Sequence, residues 1–409
     1  MNSERLFEFA LGLQPPWFVD RLEFVATDSG KKQLEIHISF EKGARFTDEA
    51  GVACPVHDTQ ERTWQHLSFF EHPCFLHARV PRIKTSAGKV QQVQVPWARP
   101  GSGFTLLFEA FAMCLIENEM PVNKAAGLLG VYPKRLWTVF NYWIQRAFEN
   151  DDQRGVEQIG IDETSSKKGH DYVTIAADLK TRRVLFATGG KDESTIGRLK
   201  EHLVSKDITP EQIQHVSIDM SPAYIAGVER HFPEAKIVFD PFHIVKLLNE
   251  AMDTVRKAER HEHQRLKGHK YTFLKNPKNL SGKQRFALAE LIETYPQLGE
   301  AYRLKELFSD FWEFDDKEHG MAFLAYWCDL VKDSGIQAFK KFANTLRAHW
   351  TGIVNHIEAK ISNGILEGIN NKIQLAKRRA RGYRNIENLI NMIYFIAGKL
   401  KFDYPHYST

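Results

Sequence analysis

Apolar positions along the chain fall into three regimes. Between Phe18 and Phe40 they alternate with polar ones at a period of two, which predicts strands with turn residues at Asp28–Lys31 between them. A short helix over Met1–Leu13 precedes them, closed by Gln14-Pro15-Pro16, and a second small β region starts at Cys54-Pro55-Val56-His57. The period changes near Pro121. Pro121–Leu129 and Pro133–Ala147 read as two helices around the turn Gly130-Val131. Ala126 supplies the small side chain a close helix pair needs, Gly130 the left-handed turn, and Leu136 the contact that packs the second helix back, which is helix-turn-helix spacing. An ordinary helical hairpin with Trp137, Phe140 and Trp143 in its core has the same pattern. If the pair reads DNA, its second helix lies in a major groove, and Lys134, Arg135 and Thr138 near its start are the candidate contacts.

The polar run Glu149–Arg154 marks a linker. Beyond it, β-branched and aromatic residues run from IGIDE through Tyr172–Ala177 and Val184–Thr188, and two shorter runs, Val216–Ile218 and Ile237–Phe239, each lead into a helix. Three hairpin-joined strands followed by alternating helices and strands predict a mixed sheet covered by helices. The stretch from Ile244 to about Asn355 is long, polar and helical, with a basic segment at Arg256–Arg265 and aromatic residues at Phe308–Phe314. It exceeds what one connection requires, so it reads as an insertion of roughly a hundred residues. Ser362–Arg381 then reads as one helix. Ile365, Ile369, Ile373, Ala376 and Ala380 form its apolar stripe, and Glu367 lies opposite with Asn371, Gln374, Arg378 and Arg381.

Length and charge refine this picture. A chain of 409 residues exceeds one ordinary core, so two or three domains are expected. The net charge of +4 is mild, so partners must be read from local patches. One patch stands out: Gly368–Ile386 carries Lys372, Lys377, Arg378, Arg379, Arg381 and Arg384 and no acid, which suits a phosphate-rich partner. Four scattered cysteines argue against a disulfide framework and for a reducing cytosol. The charged opening MNSERLFEF is no signal peptide, and the chain has no uncharged apolar run of the ~18 residues that suggest a membrane span.

Candidate chemistry sits in the predicted sheet. Asp162 is expected at the end of its first strand and Asp219 at the end of its fourth. Neither is needed as a helix cap: Ser221-Pro222 already opens the helix after Asp219, and Asp162 leads into a hairpin. Carboxylates on adjacent strand ends repel unless a cation lies between them, and a hard divalent ion with oxygen ligands suits such a pair. Glu163 should point to the opposite face of the strand. In Asp240-Pro241-Phe242-His243 the aspartate is a strong helix cap, and His243 shares its face. Near the amino terminus, Cys54 and His57 form one close ligand pair, and His66, His72, Cys74 and His77 follow. Tetrahedral zinc wants two such pairs. A zinc site and a small β domain without metal both remain open.

Asp162 in IGIDE, Asp219 in VSIDMSPAY and Glu367 in SNGILEGINNKIQLAKRRARGYRN resemble the catalytic triad of the DDE transposases, in particular those of bacterial insertion sequences of the ISL type. GSGFTLLFEA and FDPFHIVK extend the resemblance over nearly the whole chain. It implies an α/β catalytic core of RNase H-like type, a mixed five-stranded sheet flanked by helices, with a long helical insertion. A small β-rich domain and a helix-turn-helix would precede that core. The expected segments are 1–100 (β-rich, a degenerate zinc ribbon), 101–150 (helix-turn-helix), 151–246 (first part of the core), 247–355 (insertion) and 356–409 (carboxy-terminal helices of the core). The resemblance implies that Asp162, Asp219 and Glu367 hold two divalent cations, Mg2+ or Mn2+, and that relatives carry a cysteine-rich zinc site in this amino-terminal region, with its second cysteine pair where Arg82-Ile83-Lys84-Thr85-Ser86 stands here. It also implies double-stranded DNA as partner, both terminal inverted repeats and target. Lys372, Lys377, Arg378 and Arg381 would position the backbone, and Asp240, His243 and Asn371 would arrange the site or the DNA. Joining two ends implies a homodimer or larger assembly on DNA, in the cytoplasm near the nucleoid. Two other readings stay beside the transposase: an RNase H-like nuclease or resolvase that cuts without joining, and a DNA-binding regulator that kept the fold without the chemistry.

Overall fold

In the computed structural model, which describes residues 3–27, 30–167, 171–361 and 363–405, the chain forms two units. One comprises residues 3–149 with 401–405, the other residues 150–400. The first begins with α1 (Ser3–Ala10) and continues as β1 (Trp17–Ala26), β2 (Lys32–Phe40), β3 (Arg45–Thr47), β4 (Ala53–Phe69), β5 (His72–Lys84) and β6 (Val90–Gln92). These strands form one sheet in the order β1-β2-β5-β4-β3, with β6 beside β5. Period-two alternation turns Leu34, Ile36 and Ile38 of β2 and Cys74, Leu76 and Ala78 of β5 into a core shared with Trp17, Trp64 and Trp97. Of the expected first helix and first turn, Met1, Asn2, Asp28 and Ser29 lie outside the described residues.

Three helices follow in this unit: α2 (Leu106–Glu117), α3 (Val122–Leu128) and α4 (Pro133–Glu149). The sequence pattern did not reveal α2, because its apolar residues surround it instead of forming one stripe. Phe108, Ala110, Ala112, Met113 and Ile116 are all buried. Between α3 and α4, Gly130 takes the left-handed backbone (φ +67°) that a side chain would strain. Ala126 and Leu136 are fully buried, and the Trp137 indole donates to Asn123 across the pair (3.0 Å).

Glu109 ties these helices together. It is wholly buried, yet its carboxylate accepts from Arg99 Nε (2.9 Å), Ser102 Oγ (2.5 Å) and the Trp143 indole (2.8 Å). A buried charge is tolerable only when paired and hydrogen-bonded in this way. Residues 401–405 also belong here, and not with the carboxy-terminal helices as the grouping 356–409 had it. Asp403 pairs with Arg146 (2.6 Å), and the Tyr404 ring packs edge-on against Trp143.

The second unit is built on β7 (Gln158–Ser165), β8 (Tyr172–Asp178), β9 (Arg183–Gly189), β10 (His215–Ile218) and β11 (Lys236–Phe239). Their order is β11-β10-β7-β8-β9. The first three form an antiparallel meander, while β10 runs parallel to both β7 and β11. Two helices, α5 (Glu193–Ser205) and α6 (Pro222–His231), cover one face, where Ile159 and Ile161 of β7 join Ile196, Leu199 and Val228.

After β11 the chain is helical: α7 (Pro241–Glu262), α8 (Lys270–Leu274), α9 (Gly282–Thr294), α10 (Pro296–Phe308), α11 (Lys317–Ser334), α12 (Gln337–Ala348) and α13 (Trp350–Ala359). This stretch shares one apolar core with the sheet: Phe239, Leu248, Leu304, Trp327, Phe339 and Ile353 belong to the same cluster. Two last helices, α14 (Gly364–Ala380) and α15 (Ile386–Ala397), complete the unit; Ser362, the expected first residue of α14, lies outside the described residues. The Tyr394 hydroxyl of α15 accepts from the Ala187 amide of β9 (2.9 Å).

Removing the Glu109 carboxylate leaves Arg99 buried without its acid. We expect Glu109→Ala to cost about 3 kcal/mol, measured as a shift in urea-unfolding midpoint at unchanged slope. A loss below about 1 kcal/mol would mean that the carboxylate is not a tie between these helices.

Candidate active site

The two parallel strand pairs set the site. β10 pairs with β7 as His215↔Gln158, Val216↔Ile159 and Ser217↔Gly160. Carried two residues on, this register brings Asp219 level with Asp162. β10 pairs with β11 up to Ile218↔Phe239, and the Asp240 amide donates to the Ile218 carbonyl (3.1 Å), so Asp240 is the next residue in that line. Continued past their last paired residues, the two registers put Asp162, Asp219 and Asp240 in line, Asp162 within β7 and the other two as the first residues beyond β10 and β11. Asp162 was expected at a strand end but lies inside β7, opposite Ile175. The reason is that β7 keeps pairing with β8 as far as Ser165↔Tyr172, well past the end of β10.

Electrostatics follow from this alignment. Burial raises the Asp162 carboxyl to about 6; the Glu163 amide and nearby His243 pull it back, and the charges of Glu163 and Asp219 push it further up. Burial also raises Asp240, against the pull of the Phe242 amide, His243 and the Asn363 amide, while the Glu367 charge adds to the rise. His243 thus serves both ends of the row; its ring nitrogen is 3.9 Å from Asp240. Asp240 is the cap the sequence indicated, accepting from Phe242 N (3.3 Å) at the start of α7. On the other face of the sheet, the buried Tyr224 hydroxyl bonds Thr174 (2.9 Å) and feels both Glu163 and Asp219.

Helix α14 lies along β7 on the face opposite α5 and α6. Its buried apolar residues are Leu366, Ile369 and Ile373: Ile369 and Ile373 are as expected, Leu366 was not in the expected stripe, and Ile365, Ala376 and Ala380 are only half-buried. The polar residues flanking that stripe reach the strand. Asn370 Nδ2 donates to Asp162 Oδ2 (2.8 Å), Gln374 Nε2 donates to Thr164 Oγ1 (2.9 Å), and Lys377 Nζ donates to the Ser165 carbonyl. Gly160 permits the approach: a Cβ there would lie 2.9 Å from both Leu366 Cδ1 and Asn363 Oδ1.

Glu367 is exposed in the first turn of α14, within electrostatic reach of Asp240. Among the described residues no three histidine, cysteine or acidic side chains close around one point. The structure brings Asp162, Asp219 and Asp240 into one row and leaves the Glu367 carboxylate at its edge.

Lys372, Arg378 and Arg381 are exposed. Lys377 is turned inward, and burial lowers its pKa. Asn371 is exposed; the amide that meets an acid is its neighbour Asn370, which the apolar-stripe argument missed. The signal for it lay in the positions a helix shares at i and i+4: Leu366, Asn370 and Gln374 face one way. In the first unit, Lys134, Arg135 and Thr138 are exposed near the start of α4, and the Arg135 guanidinium lies over the Phe104 ring (4.2 Å).

The histidines that follow Cys54 do not converge. His66 bonds Thr105 (2.8 Å), and burial lowers its pKa to about 4; His72 bonds the Lys32 carbonyl (3.2 Å), and His77 pairs with Glu35. Burial, with the Glu35 charge, pushes the Cys74 thiol up to about 12, so it stays protonated.

Comparison with known proteins identifies the arrangement. A family model described as a transposase, the DDE domain of the ISL3 type, matches residues 159–393. The helix-turn-helix domain of transposase family ISL3 matches residues 93–144, and the zinc-finger of transposases IS204/IS1001/IS1096/IS1165 matches residues 51–84. The transposase for insertion sequence element IS1557 of Mycobacterium tuberculosis is 28% identical over 95% of this chain and 94% of its own. The transposase for insertion sequence element IS1001 of Bordetella parapertussis is 28% identical over 95% of this chain and 96% of its own. A mixed sheet with Asp162 on its central strand and Asp219 just past the neighbouring one, preceded in the sequence by a helix-turn-helix, is thus that of a DNA transposase of the DDE class. More narrowly, the chain belongs to the ISL3 family of insertion-sequence transposases. No helix among the described residues is long and apolar enough to cross a membrane.

In the metal-free protein the raised Asp162 carboxyl has a stability consequence. The folded chain keeps the proton up to about pH 6, while the unfolded chain releases it near the ordinary value of 3.8. The folded state therefore binds more protons in that window, and stability falls as pH rises through it. Asp162→Asn should be more stable than the parent at neutral pH by on the order of 1–2 kcal/mol, with the gain shrinking towards pH ~4. Urea titrations at both pH values check this; an equal gain at both, or none, would contradict it.

Proposed function

We propose that this chain binds the ends of its insertion sequence and cuts and joins DNA there by phosphoryl transfer. Asp162, Asp219 and Glu367 would hold two divalent cations, Mg2+ or Mn2+. The observation that carries this reading is the shared register of β7 and β10, which, continued past Ser217↔Gly160, sets Asp162 and Asp219 side by side, with Asp162 buried and no cationic side chain of Lys or Arg paired to it among the described residues. Their donors are all oxygens, as a hard dication requires. Glu367 lies on the same face of α14 as Asn370, one turn earlier, and Asn370 already touches Asp162. Glu367 would supply the third carboxylate from this turn of the helix. The strand order β11-β10-β7-β8-β9, with three antiparallel strands and two parallel ones, supports the RNase H-like assignment.

When bound, the cations supply Lewis-acid stabilisation of the attacking and leaving phosphate oxygens. The protein's own groups do the rest. Asn370 and the Glu163 amide each donate to one oxygen of Asp162 and so fix the plane of that carboxylate. A charge on His243, whose ring nitrogen is 3.9 Å from Asp240, favours the ionised forms of both Asp162 and Asp240. Lys372, Arg378 and Arg381 present exposed charge along one helix, where a DNA backbone would lie. Lys134, Arg135 and Thr138 at the start of α4 would read or clamp the terminal repeats. Water attack on the end phosphodiester frees a 3′-hydroxyl, and that hydroxyl then attacks a target phosphodiester. No protein nucleophile is required. Bringing two ends together calls for two copies of the chain on the DNA.

Asp219→Ala and Glu367→Ala should each lower strand cleavage at least about a thousandfold, while binding to end DNA in a mobility-shift assay changes by less than about threefold. Parallel loss of binding and cleavage would assign these acids a structural role. Strand transfer from pre-cleaved ends separates a transposase from an enzyme that only cuts.

A further inference from the structure

Asn370 links the two helix-and-strand partners on which the site depends. Its neighbours in the same register make separate contacts: Gln374 with Thr164 and Lys377 with the Ser165 carbonyl. Leu366, Asn370 and Gln374 recur every four residues, about 6 Å of helix rise, and meet Gly160, Asp162 and Thr164, which recur every two, about 6.6 Å of strand. The match lets one helix follow one strand for two turns without slipping. Asn370 is the rung that ends on an acid. An ionised carboxylate has no proton to give, so the amide nitrogen must face it, and Asn370 Oδ1 is left buried without a donor. An unpaired buried oxygen carries a cost, and it is tolerated here because the Nδ2 contact fixes Asp162.

We infer that Asn370 is a positioning residue for the metal-binding acids: it orients the Asp162 carboxylate and helps to fix the register of α14, the helix that carries Glu367, along β7. This rests on the reading of Asp162, Asp219 and Glu367 as cation ligands. The test compares Asn370→Ala with Asp162→Ala in the full-length protein, using melting temperature, Mn2+ affinity followed by electron paramagnetic resonance, and end cleavage. Asn370→Ala should fold and bind end DNA, bind Mn2+ about tenfold or more weakly, and cleave roughly ten- to a hundredfold more slowly. Raised Mn2+ should restore part of the rate, which a merely structural defect would not allow. If Asp162→Ala is inactive and Asn370→Ala matches the parent in Mn2+ affinity and rate, the positioning role is overturned and the site stands. If Asp162→Ala keeps both Mn2+ affinity and cleavage, the reading of the site itself fails. Should Asn370→Ala not fold, Asn370→Ser, whose hydroxyl is too short to reach Asp162, carries the same expectation and the same contrary result.

A different set of contacts carries a second inference, in the first unit. In the region that matches a zinc finger, the turn after β3 and the turn after β5 are held by one carboxylate. Asp48 Oδ1 accepts from the amides of Ala50 (3.1 Å) and Val52 (2.9 Å), and Oδ2 accepts from Ser86 N (2.9 Å) and Ser86 Oγ (2.8 Å). These donors hold the Asp48 carboxyl down at about 2. The Cys54 thiol points at the same oxygen (3.9 Å). Arg82, where the second ligand pair would begin, forms a two-pronged pair with Asp58 (2.5 Å each). A guanidinium at that position is incompatible with a bound dication, and one thiol with one exposed histidine falls short of four ligands.

The geometry points to a ribbon that holds its two turns together with the Asp48–Ser86 clasp in place of zinc. Mass spectrometry of the purified full chain, after dialysis against zinc-free buffer, should find less than about 0.1 zinc per chain, and a chelator should leave the melting temperature unchanged. Asp48→Ala should lower the melting temperature by several degrees. About one zinc per chain, lost together with folding on chelation, would overturn the inference, as would Asp48→Ala melting like the parent.

Discussion

One helix can hold a side chain at a fixed distance from a strand only where their repeats run in step. Here α14 and β7 do so over two turns, and the seam is unusually tight because Gly160 offers no side chain to hold them apart. Leu366, Ile369 and Ile373 provide the apolar burial, and three polar rungs fix the sliding coordinate. Apolar burial alone is non-directional and would tolerate a shift along the strand. Directional hydrogen bonds from Asn370, Gln374 and Lys377 do not. The position of Glu367 is inherited from this seam.

The same helix also resolves a conflict of charge. Asp162 and Asp219 side by side are costly in the absence of a cation: burial is the main cause of the upward shift of Asp162, and the charges of Glu163 and Asp219 add to it. Glu367 in the first turn of α14 is favoured by the helix dipole, and Lys377, Arg378 and Arg379 in the last turn by its opposite end. The helix is therefore stable with its acid near the site and its cations farther along. That separation is also what a DNA strand crossing an acidic centre needs: positive charge beside the phosphates, carboxylates only where the cations lie.

Much of this was legible from the chain itself. The strands around Asp162 and Asp219, the helix pair at Ala126–Leu136 and the helical stretch after Asp240 follow from periodicity and turn chemistry. Their limits were legible only in part, because β7 extends past Asp162 through pairing with β8, a partner that local pattern does not specify. The row of three aspartates emerges from two parallel registers, and register is a tertiary property. Asn370 was passed over for Asn371 because the apolar stripe was drawn through Ile365, Ile369 and Ile373 without Leu366, so the flank of the helix that Leu366 shares with Asn370 and Gln374 was not read as facing the strand. The histidines near Cys54 were ambiguous by spacing; His66 proved to bond Thr105 before α2, while His72 and His77 bond Lys32 and Glu35 of β2. Helix α2 left no one-sided pattern at all, since it is surrounded.

The central claim is that three carboxylates from β7, β10 and α14 share divalent cations. Anomalous diffraction from crystals of the protein with end DNA and Mn2+ addresses it most directly. The account requires manganese peaks within about 2.5 Å of carboxylate oxygens from Asp162, Asp219 and Glu367. Manganese held by the two aspartates with Glu367 still turned towards Asp240, or manganese bound elsewhere, would contradict it.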